Sequence, residues 1–359
     1  MIYYRPILQM GRAPQCAPQC SPERAPECAP GSASKTGAEN GAAHRLAGGW
    51  CWFTHAVACE RGGASEVVSA ADIPAALLAQ LTAPRAPMTG VAFDRPSIMG
   101  ILNVTPDSFS DGGQFAGIEA ALAQAARMTR ADILDIGGEL TRPGADYVEV
   151  EAETARTVPV IEALRAHGET RPISIDTRKS QVARAAVAAG ADLINDVSAM
   201  QFDRGMAQVM AEFGGPVCLM HAQGAPKTMQ DDPRYGDVVF DVFDALAARV
   251  EQAEAAGIPR ARILLDIGIG FGKTLSHNLD LLRSISLFHG LGCPLLLGVS
   301  RKRFIGEISG TEAVDARMPG TLAVTLAALG QGVQMHRVHD VNEIAQGVDL
   351  WRAVMMGEG

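Results

Sequence analysis

The sequence predicts an α/β fold, an eight-stranded (β/α)8 TIM barrel that follows an N-terminal extension. Three observations carry that expectation. From Ile98 onward, short apolar runs of strand length alternate with Ala-rich stretches in which apolar residues recur every three to four positions. Eight such runs fit between Ile98 and the end of the chain at Gly359, the length such a barrel needs. A chemistry-capable side chain closes nearly every run, as it would where strands converge on one face. A doubly wound open sheet would instead carry one dominant Gly-rich loop after its first strand.

The elements follow in order. Residues 1–95 form the extension and residues 96–359 the barrel. Residues 11–43 are rich in Pro, Ala, Gly and Ser and are expected to lack structure. Residues 48–53 and 66–69 read as short strands and 73–81 as a short helix, a small flap on the barrel. Deleting residues 1–45 is therefore expected to leave the barrel's activity nearly intact. The first barrel strand, with Ile98, Ile101 and Leu102, ends in Asn103 and opens a polar loop through Asp107, Phe109 and Asp111. The next strands are 133–136, 173–175, 193–194, 217–220, 263–265, 295–297 and 335–338. Helical patterns occupy 119–129, 150–166, 181–189, 238–256 and 321–329, rich in good helix formers.

Composition narrows the function. A net charge of -9 argues against broad binding to a phosphate backbone, so no nucleic-acid partner is expected. No apolar run reaches membrane-spanning length, and the N-terminus lacks a signal-peptide core. Seven cysteines, an odd number, suit a reducing cytoplasm. Cys16, Cys20 and Cys28 lie in a degenerate Pro-Cys repeat without zinc-site spacing.

Taken singly, the strand-end residues are ordinary caps, turns or solvated charges. Together, Asp135, Asp176, Asn195, Asp266 and Lys302 would project into the barrel mouth. Several carboxylates, an amide and one ammonium suit a fused heterocycle with an amidine-like edge, from which a carboxylate accepts two parallel N–H bonds. Arg142, Arg337 and His339 with Asn103 would form a separate anion site. Asp111 or Asp107 beside them would favour Mg²⁺ bridging a diphosphate. The Gly-rich run 268–273 lacks phosphate-loop spacing and reads as a tight barrel loop.

The segments ILNVTPDSFSDGG, DIGGELTRPGA, IDTRKSQVA, INDVSA, LMHAQGAPKTMQ, LLDIGIGFGKT, LGVSRKRFIG and RVHDV follow one another in this order. With them the chain, from about Ile98 to Trp351, resembles the dihydropteroate synthase family of pterin-binding barrels. The resemblance implies a transferase that joins hydroxymethyl-dihydropterin diphosphate to p-aminobenzoate, releasing diphosphate. It implies that Asp176, Asn195, Asp266 and Lys302 hold the pterin, with Asp135 beside them and Arg337 over the ring. Asn103, Arg337 and His339 would bind diphosphate, with Mg²⁺ at Asn103 and Asp111. Thr141 and Arg142 would close over the reacting groups, acting with Asp176 and Lys302. Phe109, Pro143, Phe271 and Lys302 would line the aminobenzoate subsite. A cytoplasmic homodimer and a sulfonamide target are further implications. Two positions depart from the family pattern: Leu140 stands where Ser is usual, and Ile267 follows Asp266 in place of Pro. A folate-dependent methyltransferase module on the same barrel is the alternative, but it would need neither of the first two loops. A pterin-binding relic without activity would not need their reactive residues.

Overall fold

The computed structural model describes residues 1–11, 42–104, 113–141 and 144–357. Ahead of the barrel come β1 (Ile2–Pro6), β2 (His44–Arg45), β3 (Trp52–Phe53), β4 (His55–Glu60), β5 (Ser65–Ser69) and α1 (Ala75–Thr82). The barrel strands are β6 (Ser97–Asn103), β7 (Ile133–Gly137), β8 (Ile173–Asp176), β9 (Leu193–Asp196), β10 (Val217–Met220), β11 (Ile263–Asp266), β12 (Leu295–Leu297) and β13 (Met335–Val338). They pair in parallel, and β13 closes the ring on β6. Between and after them run α2 (Gly113–Arg127), α3 (Val150–Ala166), α4 (Ser180–Ala188), α5 (Met206–Phe213), α6 (Val238–Ala255), α7 (Leu275–Arg283), α8 (Arg303–Ser309), α9 (Met318–Leu329) and α10 (Val341–Met356).

The strands are short and buried on both faces, which is why they read as unbroken apolar runs rather than alternating ones. Their register brings the polar ends to one level. Asn103 lies beside Gly137, Gly137 beside Asp176, and Asp176 beside Asn195. Across the ring Met220 lies beside Asp266. Met99, Ile133, Leu193, Cys218, Leu264, Leu296 and Met335 fill the barrel interior, and Met88, Val91 and Phe93 pack into the same cluster. The segment leading into the barrel thus plugs the end opposite the polar mouth.

The N-terminal sheet has the antiparallel order β1-β4-β5. It is docked on the barrel's outer layer. The Tyr3 ring stacks on Phe240 at 4.2 Å between centroids, and its hydroxyl donates to Asp244 at 2.9 Å. Ser286 donates to the Pro6 carbonyl at 3.1 Å, and the Trp50 indole N–H donates to the Leu329 carbonyl at 2.8 Å. These contacts add a cost in stability to the expected deletion, while its expected effect on turnover is a separate quantity. Removing residues 1–45 would take away β1 and uncover Phe240, so its effect reaches beyond low-complexity sequence. The expected lack of structure at 11–43 lies almost wholly outside the described residues. Tyr3→Ala is expected to lower stability by about 3 kcal/mol, the cost of emptying a buried aromatic site, with kcat unchanged. Urea unfolding and steady-state turnover check the two halves of that expectation.

Candidate active site

The C-terminal ends of the strands surround a cavity of about 730 Å³ lined by Asn103, Thr141, Asp176, Asn195, Asp266, Phe271, Lys302, Arg337 and His339 among others. Arg337, from β13, is its electrostatic centre. Its Nε donates to Asp135 at 2.6 Å and its Nη2 to Asp176 at 2.7 Å. Asn195 Nδ2 reaches the other Asp135 oxygen at 3.4 Å. The sequence alone sets the carboxylates apart from the anion-binding cations; the structure corrects this, because one guanidinium bridges two of the carboxylates. Asp135 is fully buried below Arg337 and supports it rather than lining the cavity.

Asp176 has one oxygen on Arg337 and the other, Oδ1, buried without a partner. Burial pushes its pKa up and Asp135 adds to this, with Arg337 pulling the other way. Asp266 accepts the Gly268 N–H at 2.8 Å. Burial also raises its pKa, against the pull of Lys302. Both carboxylates are therefore short of donors, the state of a site built to receive N–H groups. Lys302 donates to the Ile269 carbonyl and stands 4.6 Å from the centroid of the Phe271 ring. Burial lowers its pKa to about 8, with Asp266 opposing.

His339 shares a hydrogen bond of 2.9 Å between Nδ1 and the Ser300 hydroxyl. Burial, then Arg337 and Arg301, hold its pKa down to about 4, so the imidazole is neutral. Arg301 is committed to Asp340 and Arg303 to Glu307; both also line the cavity, and Lys302 is the member of that basic run set against Asp266. Thr141 and Leu140 both line the cavity, and Ile267 is buried in the core. Phe109, Asp111, Arg142 and Pro143 lie outside the described residues.

Sequence reasoning missed three contributors. Glu139 lines the cavity and binds Arg178 at 3.0 and 3.1 Å, while accepting the Val148 N–H at 3.1 Å. Ser300 orients His339, and Lys273 is buried in the cavity wall. Glu139 sits within the second signature segment and Ser300 near Lys302, so position in the motifs was the available signal. Among the described residues, no group of three or more His, Cys, Asp or Glu is placed to hold a metal ion.

The profile of the pterin binding enzyme family matches residues 99–339. The chain is 47% identical over 270 residues to the dihydropteroate synthase of Neisseria meningitidis serogroup C, covering 74% of this chain and 94% of that one. Among solved structures, Xanthomonas albilineans dihydropteroate synthase with 4-aminobenzoic acid is 47% identical, with a TM-score of 0.70 over 76% of this chain and 98% of that one. The same organism's enzyme in complex with 7,8-dihydropteroate is 44% identical, with a TM-score of 0.68 over 76% and 98%.

Proposed function

The chain belongs to the dihydropteroate synthase family of pterin-binding enzymes, and from that premise we propose that it condenses hydroxymethyl-dihydropterin diphosphate with p-aminobenzoate to give dihydropteroate and diphosphate. The observation that carries the reading is Arg337 held between Asp135 and Asp176, with Asp266 and Lys302 on the same rim. A cavity of about 730 Å³ suits two small aromatic substrates bound together. Asp266 and the unpartnered oxygen of Asp176 accept N–H groups of the heterocycle, with Asn195 beside them. Lys302 and Phe271 face the aryl amine, with Thr141 at the rim. Asn103, His339 and Arg337 receive the diphosphate. The test is diphosphate release by the purified chain: release that requires both substrates supports the synthase, and release indifferent to the amine contradicts it.

Magnesium fits this donor set as an ion held chiefly by the substrate, because Asn103 offers a carboxamide oxygen and Mg²⁺ prefers few protein ligands with diphosphate oxygens and water. When bound it supplies charge neutralisation for the departing diphosphate. Arg337 supplies positive charge to the same group and His339 a neutral N–H donor. The amine of p-aminobenzoate is neutral near pH 7 and needs no base before attack. The carbon losing diphosphate is attached to an electron-rich dihydropterin, and the carboxylate of Asp176 stabilises positive charge developing there. Diphosphate therefore leaves before the amine attacks. Bridging heavy-oxygen label in the pterin diphosphate is expected to scramble into non-bridging positions when an unreactive aminobenzoate analogue is bound. No scrambling, with a rate that tracks amine nucleophilicity, would point to direct displacement.

The titrations set a pH window. Asp176 accepts N–H bonds as the carboxylate, so activity rises through its elevated pKa. Lys302 acts as the cation, so activity falls as pH passes about 8. A bell-shaped kcat/KM with its alkaline limb near that value is expected, and Lys302→Arg moves the limb upward in a pH-rate profile. An alkaline limb that stays in place in the variant would remove Lys302 from the titration.

Leu350, Val354 and Met355 form an exposed apolar patch on α10, which supports a homodimer readable by sedimentation. No helix among the described residues is long and apolar enough to cross a membrane. The free thiols Cys51, Cys59, Cys218 and Cys293 suit a reducing compartment such as the cytoplasm.

A further inference from the structure

The loop after β11 is tied down carbonyl by carbonyl. Lys273 Nζ donates to the Gly268 carbonyl at 2.8 Å and to that of Phe271 at 3.1 Å. Lys302 takes the Ile269 carbonyl. Gln230 takes that of Gly270 at 2.8 Å, and the Tyr235 hydroxyl takes that of Gly272 at 2.8 Å. Each acceptor from Gly268 to Gly272 thus meets a side-chain donor. The backbone alternates through the left-handed region, with φ of +67° at Gly268, +83° at Gly270 and +63° at Gly272. A Cβ at Gly268 would lie 1.8 Å from the His221 carbonyl oxygen, so the loop is pressed against the segment that follows β10. Such a backbone has neither helix nor sheet to hold it, and its shape depends on these ties.

Lys273 is the tie that needs explaining. It is buried, and its ammonium rests on neutral acceptors: the two carbonyls and His221 Nδ1 at 2.9 Å. Burying an ammonium on neutral groups is costly, and burial lowers its pKa to about 7, with Lys302 adding to the effect. A hydrocarbon side chain would fill the space at lower cost. What it would not do is hold the carbonyls of Gly268 and Phe271 on one point.

We infer that Lys273 is a positioning residue for the aryl-amine subsite: its ammonium locks the carbonyls of Gly268 and Phe271 together and so holds the Phe271 ring against Lys302. The inference rests on the synthase reading above. Phe271 sits between the two lysines, its carbonyl on Lys273 and its ring 4.6 Å from Lys302 Nζ. Lys302 is anchored to Ile269 in the same loop, so both walls of the subsite depend on the loop's shape. The pterin side is less exposed to the change. Asp266 stands on β11 and meets the loop through the Gly268 N–H at 2.8 Å, while Asp176 and Asn195 stand on β8 and β9.

The test uses the full chain with Lys273→Met and Lys273→Arg, varying p-aminobenzoate at saturating pterin diphosphate and measuring pterin affinity by calorimetry. Lys273→Met is expected to raise the KM for p-aminobenzoate about tenfold or more, with kcat and pterin Kd within about threefold of wild type, because misplacement of the amine is the main loss. Lys273→Arg keeps a cationic donor and is expected to recover part of that KM. A folded Lys273→Met with unchanged KM overturns the inference, as does one in which kcat and pterin affinity fall while KM holds. Should Lys273→Met not fold, Lys273→Gln is measured instead: its shorter amide falls short of the point where Nζ meets the two carbonyls, so a rise of about threefold or more in the same KM supports the inference and no change overturns it. A wild-type chain that does not join the two substrates overturns the synthase reading instead, a result seen before any variant is compared.

Discussion

Arg337→Ala is expected to lower kcat/KM by roughly 10²–10³-fold, the cost of removing a preorganised charge from a developing anion. The same change is expected to destabilise the fold by about 3–5 kcal/mol, as when one partner of a buried ion pair is lost. Both follow from one geometry. The guanidinium donates to Asp135 at 2.6 Å and Asp176 at 2.7 Å, and the Asp135 side chain has no exposure to water. Without Arg337, two carboxylates face each other across a buried gap, and under the proposed reaction the leaving diphosphate would lose its principal cation. Arg337→Lys is expected to restore little, since an ammonium lacks the planar fork that spans both carboxylates. Steady-state kinetics and urea unfolding on Arg337→Ala and Arg337→Lys measure the two losses separately. Turnover of the alanine variant within about tenfold of wild type would show that the guanidinium is structural only.

Asp266→Ala is expected to weaken pterin binding by about 1–3 kcal/mol, the penalty for leaving buried donors unpaired. That corresponds to a rise in Kd of roughly 5- to 150-fold. The carboxylate does two things at once: one oxygen takes the Gly268 N–H at 2.8 Å, and the rest of its accepting capacity faces the cavity. Asp266→Asn keeps an acceptor for Gly268 but presents a donor where the heterocycle also donates. It is therefore expected to bind as weakly as the alanine variant. Titration calorimetry with the pterin substrate decides the matter, and unchanged affinity in a folded variant would take Asp266 out of the pocket.

The barrel was legible in the sequence because its strands are buried on both faces and its helices are amphipathic. The strands at 217–220, 295–297 and 335–338 have the boundaries their apolar runs suggest. β8, β9 and β11 run on to Asp176, Asp196 and Asp266, since the backbone of a polar strand-end residue still pairs. Hydropathy stops where the side chain turns polar, and the ladder does not. β1 was not legible: its partner β4 lies far along the chain, and Tyr3 is buried by helix α6, a contact no local pattern encodes. In the site, the residue types were readable but their pairing was not. Asp135 and Arg337 stand 202 positions apart, and only closure of the ring brings them together. Lys273 reads in the sequence as part of a Gly-rich turn, because its function lies in the carbonyls around it.

The most direct measurement is a crystal structure of the full chain with hydroxymethyl-dihydropterin diphosphate and an unreactive analogue of p-aminobenzoate. The predicted result places the heterocycle's N–H edge on Asp266 and Asp176, the diphosphate at Asn103, Arg337 and His339, and the aryl ring beside Phe271 and Lys302. A pterin bound away from the two carboxylates, or a diphosphate that leaves Arg337 and His339 untouched, would contradict the account.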